Sequence, residues 1–173
     1  NPPWQVIKAD PDEFFSKRQK TKLLLATKFT IKKPFSGLSA QKKSELQAEC
    51  LKDPIEKQEW EIYQKNYDLL LSYFTSTQTY RLQGNGDANL YKLFLEKSLS
   101  ILNKNGFFGM VMPNGFYTDQ GVKELRKHFF ERTKITTLCG FTNTKPIFSS
   151  GVDSRQKFCI LIAKNGFQTT SFP

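Results

Sequence analysis

The sequence predicts an α/β layered fold in which a basic, mainly helical segment precedes the sheet, and three observations predict it. Short apolar runs at residues 107–112, 135–141 and 158–164 have the length and composition of strands. Helical apolar spacing occupies residues 90–102 and a second helix is expected over 119–132, so strand and helix alternate as in a layered sheet. The alternation begins only after residue 90, which makes the preceding residues read as an insertion.

The elements follow in order. Asp10-Pro11-Asp12-Glu13 joins a capping residue, a proline at the first helical position and a carboxylate at the third, and predicts one helix to about Leu25. Lys32-Lys33-Pro34-Phe35-Ser36-Gly37 is loop punctuation, after which Ser39 caps a helix running to Leu51. Asp53-Pro54-Ile55-Glu56 repeats the start signal before a helix whose stripe, Trp60, Tyr63, Tyr67, Leu70 and Leu71, reads as a packing face. Gly84-Asn85-Gly86-Asp87 marks a loop, and it is not a dinucleotide fingerprint because no strand precedes it. The next helix presents Leu90, Leu93, Phe94 and Ile101 and stops at Asn103-Lys104-Asn105-Gly106. The run at 107–112, ended by Pro113, suits a strand buried on both faces.

The 173 residues allow one domain with a real core. Their net charge of +10 suits a polyanionic partner or simply a soluble surface, and charge alone does not decide between these. Residues 16–65 carry 12 Lys or Arg against 6 Asp or Glu, so those helices either touch DNA or form a solvated face. Three cysteines without CxxC spacing and the single His128 argue against a zinc site or a disulfide framework and for a reducing, cytoplasmic setting. Cys159, inside an apolar strand pattern, reads as a buried structural thiol. His128 falls at a helix end, where the dipole favours an imidazole. No apolar run is long enough to span a bilayer.

The tetrapeptide Asn1-Pro2-Pro3-Trp4 carries the chemistry. The prolines hold Asn1 and Pro2 extended and have no N–H to donate. A side-chain amide and bare carbonyl oxygens are thereby presented beside an aromatic face. An exocyclic amine has its lone pair delocalised into the ring and is a poor nucleophile. Two acceptors, the Asn1 amide oxygen and the Pro2 carbonyl, can take both amine hydrogens and favour a tetrahedral nitrogen, stabilising what develops in the transition state. Trp4 offers a stacking surface for a base that has left the duplex. Alone, the same string also suits an ordinary turn.

The tetrapeptide resembles the catalytic Asn/Asp-Pro-Pro-aromatic motif of amino-group DNA methyltransferases, in the N6-adenine form of Type IIG and related fused restriction–modification enzymes. The resemblance continues through Gly86-Asp87-Ala88-Asn89-Leu90-Tyr91-Lys92-Leu93-Phe94, through Phe107-Phe108-Gly109-Met110-Val111-Met112-Pro113-Asn114-Gly115-Phe116, and through Lys145-Pro146-Ile147-Phe148 with Asp153-Ser154-Arg155-Gln156-Lys157-Phe158. It implies the C-terminal part of a Rossmann-like methyltransferase sheet. Residues 1–8 would carry the catalytic motif, 9–85 a mainly helical insertion, and 86–173 the strand–helix–strand part. It further implies S-adenosylmethionine as cofactor, double-stranded DNA as partner and no metal. Asn1, Pro2 and Trp4 would be catalytic, Pro3 and Phe148 would bind substrate, and Lys145, Arg155 and Lys157 are the candidates for DNA phosphates. The family's glycine-rich cofactor loop and ribose-holding acid precede the motif, so the native protein is expected to extend upstream. The main cofactor contacts and a target-recognition region would lie outside these residues, leaving the isolated chain inactive. Two alternatives stay open at this point: a glutamine N5-methyltransferase of release-factor type, which the long basic insertion disfavours, and a non-catalytic DNA-binding module.

Overall fold

The computed structural model describes residues 1–29, 33–76, 78, 80–84, 86–144 and 154–171. The chain divides into two compact bodies, one of residues 8–70 and one of residues 1–7 with 71–173.

In the body of residues 8–70, α1 (Pro11–Lys17), α2 (Gln19–Thr27), a 3-10 turn (Phe35–Gly37), α3 (Ala40–Cys50) and the greater part of α4 (Pro54–Thr75) enclose one apolar cluster. Phe14, Phe15, Leu25, Phe35, Leu46, Cys50 and Trp60 form it. The local signals act as expected at three starts. Asp10 accepts from the Asp12 N–H at 2.8 Å, Ser39 from the Lys42 N–H at 3.4 Å, and Asp53 from the Ile55 N–H at 3.0 Å. The single helix expected to Leu25 is instead two, broken at Arg18, whose backbone is extended (φ −79°, ψ 134°). The break turns the Arg18 guanidinium onto two α4 carboxylates, Glu56 at 2.8 Å and Glu59, and over the Phe14 ring at 5.2 Å. The α4 stripe packs at Trp60 and Tyr63, whereas Leu70 is exposed.

The other body holds α5 (Leu90–Ile101), β1 (Phe107–Pro113), the short α6 (Gly115–Thr118), a 3-10 turn (Gln120–Val122), α7 (Lys123–Arg132), β2 (Thr133–Thr142) and β3 (Lys157–Asn165). The sheet order is β1-β3-β2, and β3 runs antiparallel to both neighbours, so β1 and β2 run parallel to each other. Pairs such as Met112↔Cys159 and Met110↔Leu161 set the β1 register, and a bulge between Ile135 and Thr137 shifts the β2 register. One face of the sheet meets α5 and α7 through Tyr91, Leu95, Leu125 and Phe129.

Three sequence expectations change in this body. β1 is not buried on both faces along its length: Phe107 is 67% exposed and Gly109 is exposed, while Phe108, Met112 and Pro113 are buried. An outer strand covered by helices on one face alternates in this way. In α5 the buried face runs through Tyr91, Leu93 and Leu95, leaving Phe94 and Ile101 exposed, because the helix meets the sheet along the Tyr91–Leu95 row rather than the Leu90–Phe94 row. The helix expected from Asp119 starts at Lys123, because residues 115–118 already form a helical turn and 120–122 tighten into 3-10 geometry. Asn105 takes a left-handed conformation (φ 65°) at the predicted stop after α5.

Candidate active site

Asn1 and Pro3 are exposed, Pro2 is buried and Trp4 is half-buried. The residues that follow Pro3 are strapped to the start of α5. Asn89 Nδ2 donates to the Trp4 carbonyl at 3.0 Å, the Leu90 N–H to the Gln5 carbonyl at 2.9 Å, and the Ile7 N–H to the Ala88 carbonyl at 2.8 Å. Val6 and Asn89 form an isolated antiparallel bridge. Asn89 also caps α5, its Oδ1 accepting from the Tyr91 N–H at 3.2 Å. One side chain therefore caps the start of the helix and anchors the tetrapeptide. The Trp4 ring packs against the sheet's core, 6.3 Å and 29° from Phe158, which stacks in turn on Phe141 at 5.3 Å.

Trp4 borders a cavity of about 260 Å³ at the C-terminal end of β1, together with Asn89, Tyr91, Pro113, Asn114, Gly115, Asp119 and Gln156. Local causes bring these residues there. The Asn114 N–H donates to the Lys157 carbonyl at 3.2 Å, closing the β1 end on the β3 start. Arg126 donates to the carbonyls of Phe116 at 2.8 Å and Asp119 at 3.2 Å, fixing the turn that delivers Asp119. A second cavity of about 360 Å³ shares Asn89, Tyr91 and Asp119 and adds Val6, Asp87, Lys92 and the backbone of Gly86 and Gly121. Lys92 is 4% exposed and donates to the Gln83 carbonyl at 3.3 Å. Burial pulls its ammonium below the usual lysine range, with the charges of Asp87 and Asp119 opposing that shift. An open depression of about 490 Å³, lined by Asn114, Arg155, Gln156 and Lys157, shares Asn114 and Gln156 with the Trp4 cavity.

The sequence-derived candidates divide accordingly. Trp4 lines the cavity, and Arg155 and Lys157 meet in the adjoining depression. Asn1, Pro2 and Pro3 are not in the lining of these three cavities. Lys145 and Phe148 lie outside the described residues. His128 is half-buried on α7, away from all three linings. Sequence reasoning missed Asn89, Tyr91, Asn114, Asp119 and Gln156 as wall residues. An Asn directly before a helical apolar run is a capping signal, but nothing in the pattern says that the same amide holds Trp4.

Among the described residues no cluster of His, Cys, Asp or Glu is arranged to hold a metal ion, and no helix is long and apolar enough to cross a membrane. Comparison with curated proteins and with solved structures gives no match. The family model for the Eco57I restriction-modification methylase matches residues 56–148, more than half of the chain. The matched stretch carries the cavity residues Asn89, Tyr91, Asn114, Gly115 and Asp119, while Asn1–Trp4 precede it. The chain belongs to the Eco57I restriction-modification methylase family.

Proposed function

We propose that the intact protein transfers a methyl group from S-adenosylmethionine to N6 of an adenine flipped out of double-stranded DNA, within a restriction–modification or phage-defence system. The observation that carries this reading is the cavity at the end of β1, where Trp4 and Tyr91 stand among polar side chains beside a depression holding Arg155 and Lys157. A base is flat and polar-edged, and the backbone on either side of it is anionic, so the two concavities suit the two parts of one flipped nucleotide. The family match supports a methylase.

In this reading Trp4 stacks on the base, which contributes roughly 1–3 kcal/mol by analogy with single-strand binders. Asn1 and Pro2 lie outside the cavity lining, so the Asn1 amide oxygen and the Pro2 carbonyl accept the amine hydrogens, and raise the nitrogen's nucleophilicity, once the tetrapeptide turns them toward the base. Pro3 and Phe148 bind the substrate base, Phe148 as a second aromatic against it. Arg155, Lys157 and Lys145 face phosphates. S-adenosylmethionine supplies an electrophilic methyl group. Among the described residues no glycine-rich turn follows a strand to cradle it, so these residues do not by themselves form its site. We further read β1, β3 and β2 as the C-terminal part of a Rossmann-like sheet, since the parallel β1 and β2 have α7 between them in sequence as in a β-α-β unit.

The test is Asn1→Ala in the intact protein. Methylation of adenine-containing duplexes is abolished while DNA affinity by gel shift stays within about twofold. Wild-type turnover in that variant, or methyl transfer to a glutamine side chain in place of adenine, overturns the reading.

A further inference from the structure

Tyr91 stands in the wall of the Trp4 cavity without a task in the chemistry above. The side chain is 3% exposed, and among the described residues no protein hydrogen bond engages its hydroxyl, although its backbone N–H is taken by Asn89. The hydroxyl opens on the cavity instead of being sealed in the core, so a ligand acceptor there can take its hydrogen.

Gly115 shows where that hydroxyl ends. A Cβ at Gly115 would lie 3.2 Å from Tyr91 Oη and would collide with Asp119 Oδ2. The phenol and the carboxylate thus converge over a notch kept open by the missing side chain, and all three residues line the cavity with Trp4. Burial first, and the Asp119 charge second, push the phenol above its usual range, so it is a neutral O–H donor.

In the base-binding reading, a ring held beside Trp4 has the Tyr91 O–H donor within the same cavity. Adenine and cytosine present a bare ring nitrogen, an acceptor, beside the exocyclic amine. Guanine and thymine present a ring N–H at the corresponding place, which sets donor against donor. Resting on the base-binding reading of this cavity, we propose that Tyr91 selects an amino-substituted nucleobase over a keto one by donating its hydroxyl hydrogen to the ring nitrogen beside the amine. Tyr91 is then a specificity-determining residue, separate from the Asn1 and Pro2 acceptors that take the amine hydrogens.

The experiment titrates the ¹⁵N-labelled intact protein with adenosine, 1-deazaadenosine, which lacks that ring nitrogen, and inosine, its keto counterpart. Adenosine shifts the amides of Gly115 and Asn89. Both analogues bind about tenfold more weakly, the loss of one hydrogen bond. Tyr91→Phe, which keeps the ring and its packing, binds all three alike at the weaker level. Two results overturn the inference while leaving the base-binding reading intact: 1-deazaadenosine or inosine binding the unaltered chain as tightly as adenosine, or Tyr91→Phe keeping the adenosine preference. The analogue comparison needs no variant and stands even if Tyr91→Phe is unfolded. A chain on which adenosine leaves the Gly115, Asn89 and Trp4 signals unmoved overturns the base-binding reading, and this inference with it.

Discussion

Replacing Gly84 by alanine tests how the walls of the second cavity are held. Gly84 has φ +66°, and a Cβ there would overlap the Gly121 carbonyl oxygen, a backbone atom that has no rotamer into which to retreat. The left-handed conformation costs an alanine roughly 1 kcal/mol, and forcing a methyl group against packed backbone costs about 1–3 kcal/mol more. The total, about 2–4 kcal/mol, lowers the melting temperature of a body of this size by roughly 10 °C or more. Gly109 is the internal control, since a Cβ there meets nothing within 4 Å and its φ is ordinary. Gly109→Ala is expected to leave the melting temperature unchanged or slightly raised, because alanine loses less backbone freedom on folding. Thermal unfolding followed by circular dichroism reads both variants. Equal melting temperatures for Gly84→Ala and the parent refute the claim that this close approach holds the loop. If the approach does hold, Gly121 in the second cavity's wall is the atom group that must move, and ligand-free amide shifts around residues 119–122 will report it.

Three further outcomes follow from the same geometry. Asn89→Asp keeps the acceptor for the Tyr91 N–H but loses the donor to the Trp4 carbonyl, so hydrogen exchange at Ile7 and Leu90 accelerates while α5 stays folded; unchanged protection refutes the anchoring role. A thiol reagent applied to the folded chain modifies Cys139, which is exposed, and spares Cys50 and Cys159, which are buried, the latter's thiol being pushed up to about 11 by burial; labelling of all three at equal rates refutes this. Lys28 and Lys52, hydrogen-bonded to Glu49, hold its carboxyl at about 2 against an ordinary 4.5, so its stabilisation is full above pH 4.5, is lost as pH falls toward about 2, and weakens with salt because both lysines are exposed; an acid titration that Glu49→Gln leaves identical refutes it.

What the sequence made legible was local. Caps and prolines act on the next few residues, so Asp10, Ser39 and Asp53 marked their helices, and Pro113 marked the end of β1. Arg18 shows the opposite case: helical propensity ran straight through it, and the break there brings its guanidinium onto carboxylates some forty positions away. The row of α5 that is buried was misread for a related reason, since Leu90, Phe94 and Ile101 are as apolar as Tyr91 and Leu95, and only the sheet's position chooses between the rows. Of the site, the tetrapeptide and the basic pair near 155–157 were visible because each is a contiguous string. The cavity wall was not, because Asn89, Tyr91, Asn114, Asp119 and Gln156 come from separate segments and their types are individually commonplace.

Among the described residues the middle strand of the sheet is the last in sequence. During synthesis β1 and β2 leave the ribosome with no hydrogen-bonding neighbour between them, and only the arrival of residues 157–165 fills the gap. Ribosome-stalled chains that stop short of Lys157 should accordingly remain protease-sensitive from β1 onward, with the end of β1 still lacking the Asn114–Lys157 clasp that closes the cavity mouth.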